Sequence, residues 1–219
     1  MTLLDGPLQP DDAARWAFGG DFADPLADLD TAVPDGVDGP LLAAYALGLA
    51  DDALVAAQRM SWRCSRAPEL ELELAWANVA LDLLGQARPL LARVAAADPA
   101  LVPALPPGSP VPPDDRLAFF RDPGAFRNHV LVEGADVDFA HAVVRLLLLS
   151  TARLATFERL RYSRDPVLAG VAGKGVPELG YHRDLAARWF LVLAGGTEES
   201  RRRMLTAVAA LWPLHREAL

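Results

Sequence analysis

The stretch "ANVALDLLGQARPLL", residues 77–91, decides how the chain is read. It is apolar almost all the way round, as a helix inside a bundle would be. Yet Asn78, Asp82 and Gln86 recur at every fourth position and so share one helical face. Glu71 before it and Arg93 after it extend this polar stripe. Taken by itself, such a stripe is a solvated edge more often than a buried network. A buried one must pair every polar atom or cost about 1–3 kcal/mol per orphan.

Outward from this segment the helical period continues in both directions. "LLAAYALGLADDALVAAQRMSWRC" places Leu42, Tyr45, Leu49, Ala53, Ala56, Ala57 and Met60 at steps of three and four, starting from Pro40. Pro68 restarts the chain, and Glu69, Glu71 and Glu73 put negative charge into the first turns of a helix that runs to about Ala97, with Pro89 as a bend. The connection "DPALVPALPPGSPVPP" is too dense in proline for helix or central strand. A short piece, "DDRLAFF", precedes a long helical pattern, "FRNHVLVEGADVDFAHAVVRLLLLSTARLATFERLRYS", in which Gly134 and the surrounding acids predict a kink. Asp165-Pro166 opens another helical stretch, containing Pro177 and ending at Gly195-Gly196. Thr197 followed by Glu198 and Glu199 has the form of an N-cap for a last helix.

Residues 1–39, rich in Pro, Gly and Asp, read as an extended or partly disordered arm that Trp16 and Phe18 could anchor, and residues 40–219 as one helical domain. No alternating Val/Ile-rich segment competes for strand. The class is all-α: an antiparallel helix bundle with one long crossover between its second and third long helices, the ferritin-like arrangement.

Composition narrows the function. The chain has 219 residues, 52% of them hydrophobic and 23% charged, with a formal net charge of −8. The acidic balance and dispersed arginines exclude a basic nucleic-acid-binding stripe. The apolar fraction exceeds what a lone monomer needs and points to a partner surface, self-association included. Cys64 is the only cysteine, so no internal disulfide forms; it has no neighbouring histidine and reads as an inert thiol. No uninterrupted apolar run approaches the ~20 residues of a membrane span, and the acidic N-terminus is unlike a signal peptide. These features predict a cytoplasmic protein.

Ferritin-like bundles often hold a di-iron centre, which takes a carboxylate from each of two helices and a Glu-x-x-His motif from each of the other two. The sequence contains no Glu-x-x-His. The nearest pairs are Leu83 with Gln86, Leu179 with His182, Asp138 with His141, and Glu178 with His182 four residues apart. Asp138/His141 reads as a helix start where Asp serves the dipole, and Glu178/His182 as a solvated pair. Glu133, after "VLV", is open between an inward carboxylate and an exposed acid. No phosphate loop, Ser/His/Asp set or zinc pattern appears, and no residue is assigned as catalytic. Trp62, Trp76, Trp189 and Trp212 lie on helices and are expected in the core or at an interface, with their N–H groups paired.

"LGLADDALVAAQRMSWRCSRAPELELELAWANVALDLLGQAR", "FRDPGAFRNHVLVEGADVDFAHAVVR", "GYHRDLAARWFLVLAGGTEESRRRM" and the following "LWP" resemble successive blocks of PaaC, a subunit family of the phenylacetyl-CoA epoxidase (ring 1,2-epoxidase), over about residues 41–213. That resemblance implies a ferritin-like subunit with a degenerate di-iron site, scaffolding a homologous catalytic di-iron subunit (PaaA) alongside a small subunit (PaaB). The complex epoxidises phenylacetyl-CoA with oxygen, in aerobic phenylacetate catabolism. Under the resemblance this chain binds no cofactor. Di-iron belongs to the partner, and NADPH, flavin and iron-sulfur belong to the reductase.

The resemblance also places the lost ligands of the second helix at Leu83 and Gln86. A lost glutamate falls at Leu179 beside a retained His182, Glu133 lies near the remaining carboxylate position, and Asp52 is the candidate on the first helix. The expected remnant is a direct contact from His182 to Glu133 or Asp82, with Asn78, Asp82 and Gln86 maintaining polar contacts between helices. The family continues through a further C-terminal segment beyond "LWP", and Pro177 with its glycines departs from its regular helix. Two other readings stand beside this one. One is a free-standing ferritin-like metalloenzyme using Asp138/His141 and Glu178/His182; the other is a homo-oligomeric helical protein of unrelated role.

Overall fold

The computed structural model describes residues 26, 29–64, 66–134 and 137–218; Trp16, Phe18 and most of the predicted arm lie outside the described residues. Four long helices make the body: α1 (Gly39–Arg63), α2 (Leu70–Ala97), α5 (Phe139–Leu160) and α6 (Pro166–Gly195). Two short helices, α3 (Pro113–Phe119) and α4 (Val130–Glu133), lie in the crossover, and α7 (Glu198–Leu211) leads into a 3₁₀ segment, Trp212–Ala218. No strand occurs among the described residues. α1 packs along α2 and α5 along α6 as two hairpins; α2 meets α6 across the bundle, and α7 covers α5.

Local chemistry sets these boundaries. Asp38, Asp138, Asp165 and Thr197 each cap a helix, their side chains accepting from the backbone N–H three residues on. Pro40 and Pro166 fall in the first turns, where a missing N–H costs nothing. Inward faces rich in alanine, such as Ala43, Ala46, Ala50, Ala53 and Ala57 of α1, let the helices approach closely.

Two expectations are corrected. The long pattern from residue 126 is not one kinked helix: Gly134 is extended (φ −57°, ψ 143°), and Asp138 caps a fresh start at Phe139. Pro177, by contrast, does not interrupt α6, which runs through it for 30 residues. The acceptor left without its N–H is the carbonyl of Gly173, at an exposed position. The last described residues before α1 are docked on the body. Val33 and Val37 pack on the core, and the carbonyls of Thr31 and Ala32 accept from Arg93.

The glycines of α6 divide by face. Gly170, Gly173 and Gly180 border open space, whereas a Cβ at Gly175 would lie 2.7 Å from the Phe157 ring and 3.3 Å from Gln86 Nε2. Gly175→Ala is therefore expected to destabilise by about 1–3 kcal/mol through overpacking, despite alanine's better helix propensity. Gly173→Ala should be neutral or stabilising. Urea unfolding of the two variants side by side checks this; equal midpoints would contradict it.

α1 and α5 are long and apolar enough to cross a membrane by length and composition, although neither is an uninterrupted apolar run. Most of each apolar window is buried against other helices, and Asp51 and Asp52 in α1 and Arg145 and Arg153 in α5 are buried with them.

Candidate functional site

The polar residues of the four long helices meet in a layer inside the bundle. α2 contributes Asp82 and Gln86, with Leu83 between them; α6 contributes Glu178 and His182, flanking Leu179. α5 contributes Arg153 and Phe157, and α1 contributes Asp52 and the Leu49 carbonyl.

Gln86 is the junction. Its Nε2 donates to Glu178 Oε2 at 2.9 Å, and its Oε1 accepts from Arg153 Nε at 2.9 Å. Arg153 Nη1 donates to the Leu49 carbonyl at 2.9 Å, and the guanidinium lies 4.5 Å from the Phe157 ring centroid. Burial pushes the Arg153 pKa down to about 10, with Asp52 and Tyr45 opposing the shift, so it stays a cation at neutral pH. Alongside, His182 is fully buried, and its Nε2 lies 3.0 Å from Asp82 Oδ2.

Burial lowers the His182 pKa and Arg153 adds to that; the Asp82 hydrogen bond and the Asp82 and Glu178 charges only partly offset it. The native imidazole is thus neutral, with Nε2–H donating to Asp82 and an unprotonated Nδ1 that has no hydrogen-bond partner. Because the folded pKa lies below the unfolded one, the native state binds fewer protons. Stability from this site is fully present above the unfolded value, about 6.5, and is lost as pH falls through the folded pKa. Unfolding free energy measured from about pH 7.5 down to about pH 5 is expected to fall, and His182→Asn should flatten that slope.

Of the two acids expected to meet His182, the structure selects Asp82. Glu133 is a correction: it sits exposed on α4, its backbone carbonyl accepting from Arg59 and its carboxylate from Asn128 at 3.2 Å. The break at Gly134 leaves it at the end of a single turn whose Leu131 and Val132 are buried while Glu133 faces outward. The stripe is graded rather than uniform, with Asn78 exposed, Asp82 half-buried and Gln86 buried, so Asn78 takes no part in the layer. Arg93, at the stripe's far end, is fully buried and pairs with Asp165 at 2.7 Å. Glu178/His182 is no solvated pair, because His182 is sealed. Asp138 accepts from the His141 backbone at 3.0 Å and meets its Nδ1 at 2.7 Å, a cap rather than a ligand set.

Asp52 is buried against the crossover, accepting from His129 N at 2.8 Å and lying 2.6 Å from its Nδ1. Trp76 is buried beside Phe139, but its Nε1 has no partner among its apolar neighbours, contrary to expectation; Trp62 and Trp212 are exposed.

A di-iron centre does not fit this layer. Leu83 and Leu179 are buried hydrocarbon, Gln86 is a neutral amide already engaged on both sides, and a guanidinium fills the space beside it. Among the described residues no group of three His, Cys, Asp or Glu side chains is placed to hold a metal. Arg153 is the residue that sequence reasoning missed. Its signal was an arginine at core register in α5, in step with Leu146, Leu149 and Phe157.

An all-helical body of two hairpins joined by a long crossover, with its polar layer between them, defines a ferritin-like bundle. The chain belongs to the phenylacetic acid catabolic protein family (PaaA/PaaC), whose profile matches residues 31–219. It is 39% identical over 171 residues to the C subunit of the 1,2-phenylacetyl-CoA epoxidase of Escherichia coli strain K12. That match takes in 78% of this chain and 64% of the relative, so the chain spans just under two thirds of that protein's length.

Proposed function

We propose that the chain is a non-catalytic structural subunit of a cytoplasmic multicomponent oxygenase that epoxidises phenylacetyl-CoA, supporting a separate di-iron subunit of the PaaA type together with the small PaaB subunit. The observation that carries this reading is the buried hydrocarbon of Leu83 and Leu179 at the positions where the resemblance places ligand carboxylates. Two divalent or trivalent ions need negative charge from facing helices, and neither leucine supplies it. NADPH, flavin, iron-sulfur and di-iron then belong to the other subunits.

A partner role is supported by the outer face of α2. Leu70, Leu74, Leu81 and Leu84 follow one another along it at helical spacing, 41–67% exposed. A row of leucines facing water along one helix is the pattern of an interface rather than of a free surface.

The test is metal and turnover analysis of the purified chain after growth in iron-rich medium, with capture of partners from cells growing on phenylacetate. Recovery of a larger iron-containing subunit, with little iron in this chain, is expected. About two chelation-resistant irons per chain, with turnover in the absence of that larger protein, would replace this reading with a free-standing metalloenzyme. Recovery of self-copies alone would favour the homo-oligomer.

A further inference from the structure

We infer that the Arg153 guanidinium is the resident cation of the polar layer, holding the four long helices together from the place where the resemblance puts a metal pair. This rests on the non-catalytic reading and adds to it: the site has been taken over by another positive charge rather than merely emptied of ligands.

Along α5, Leu146, Leu149, Arg153 and Phe157 follow one another at steps of three and four, so Arg153 occupies a core position in an otherwise apolar row. An arginine near a helix end can run its stem along apolar surface and keep its head in water. Arg153 does not, since only 4% of the residue is exposed. A buried cation persists only when it is compensated and hydrogen-bonded.

The compensation draws on every long helix through Nε, Nη1 and the ring face, and Nη2 alone is left without a hydrogen-bond partner. Leu49 of α1 supplies a carbonyl, Gln86 of α2 an amide oxygen, and Phe157 of α5 a ring face. Glu178 of α6 is reached through Gln86, whose amide accepts from the cation and donates to the carboxylate at once. Asp52 adds favourable charge from α1. Glutamine thus suits a position between a guanidinium and a carboxylate, and Gly175 leaves the room that this arrangement fills: a Cβ there would strike Phe157 and crowd Gln86. Gln86, which looks like a simple loss relative to a ligand set, therefore has a positive role around Arg153.

The consequence is electrostatic. Restoring ligands to Leu83, Gln86 and Leu179 would place a divalent ion beside a fixed positive charge in a low-dielectric interior, where the repulsion is far stronger than in water. Arg153 should then exclude metal even from a repaired site.

The test compares two chains that carry Leu83→Glu, Gln86→His and Leu179→Glu, one retaining Arg153 and one with Arg153→Leu. Cobalt(II) binding is measured by metal analysis and visible absorption, with circular dichroism as the check on folding. The chain retaining Arg153 is expected to bind cobalt at least about tenfold more weakly. Equal affinity would overturn the inference while leaving the non-catalytic reading intact, whereas iron in the natural chain would overturn that reading first.

If the rebuilt chains do not fold, the natural sequence carries the test. Arg153→Met should lower the melting temperature and Arg153→Lys should retain part of it. A methionine variant melting at or above the parent would equally overturn the inference.

Discussion

Replacing Arg93 with methionine is expected to cost about 3–5 kcal/mol of folding stability, the usual consequence of removing one partner from a buried ion pair. Arg93 is fully enclosed at the C-terminal half of α2, and its guanidinium pairs with Asp165 at 2.7 Å and 2.9 Å. Its remaining donors reach the carbonyls of Thr31 at 2.6 Å and Ala32 at 3.4 Å. Asp165 in turn caps α6 by accepting from Leu168 N at 2.9 Å. Arg93 thus ties together α2, the start of α6 and the irregular segment that enters α1.

The loss would come mainly from stranding Asp165 in a dry site rather than from the pair's intrinsic worth. Arg93→Met combined with Asp165→Ser, which keeps a capping hydroxyl and removes the stranded charge, should therefore recover a large part of the deficit. Urea denaturation of both single variants and the double closes the cycle. Strictly additive losses would show that the two residues act independently.

What the sequence made legible follows from what is local. Helix spans came from three- and four-residue spacing, and the cap at Thr197 from a side chain that bonds only three residues away. The inward positions of Leu83 and Leu179 were implied by the family resemblance. What failed depended on the third dimension. Whether Asn78, Asp82 and Gln86 are wet or dry is set by where α6 crosses α2, which no residue in "ANVALDLLGQARPLL" encodes by itself. Pro177 looked like a break because a missing N–H is a local fact. That its cost falls on an exposed glycine carbonyl is a packing fact. Glu133, coming after "VLV", was open between an inward and an exposed carboxylate. The run is indeed buried at Leu131 and Val132, but the single turn of α4 ends there and carries Glu133 outward. Arg153 escaped notice because a lone arginine in an apolar helix is ordinarily read as a flank, and its acceptors lie 67 and 104 residues away.

The second large effect should come from Asp51. "ADDA" in the middle of α1 puts two acids side by side in an apolar helix, and the structure turns both toward the crossover. Asp51 receives Arg121 through two bonds, at 2.5 Å and 2.9 Å, and the Arg127 backbone N–H at 2.8 Å. Asp52 receives His129, two residues further on. The crossover is thereby fastened to α1 directly beside the polar layer, through Asp52's charge on Arg153.

The two anchors differ in burial. The Arg121 and Asp51 side chains are 4% and 0% exposed, whereas His129 is 35% exposed and can be rehydrated. Asp51→Ala should therefore cost about 3–5 kcal/mol by leaving the buried Arg121 guanidinium without its carboxylate, with only the Leu117 and Ala125 carbonyls to receive it. Asp52→Ala should cost less in stability, because water can serve His129, and its effect should fall on the layer around Arg153. Limited proteolysis separates the two: Asp51→Ala should expose cleavage sites between residues 98 and 138 before the rest of the bundle opens, and Asp52→Ala should not. Identical digestion patterns and equal losses from the two variants would mean that the crossover is held by its apolar contacts, Leu117 and Leu131 foremost, and that the paired acids do not fasten it.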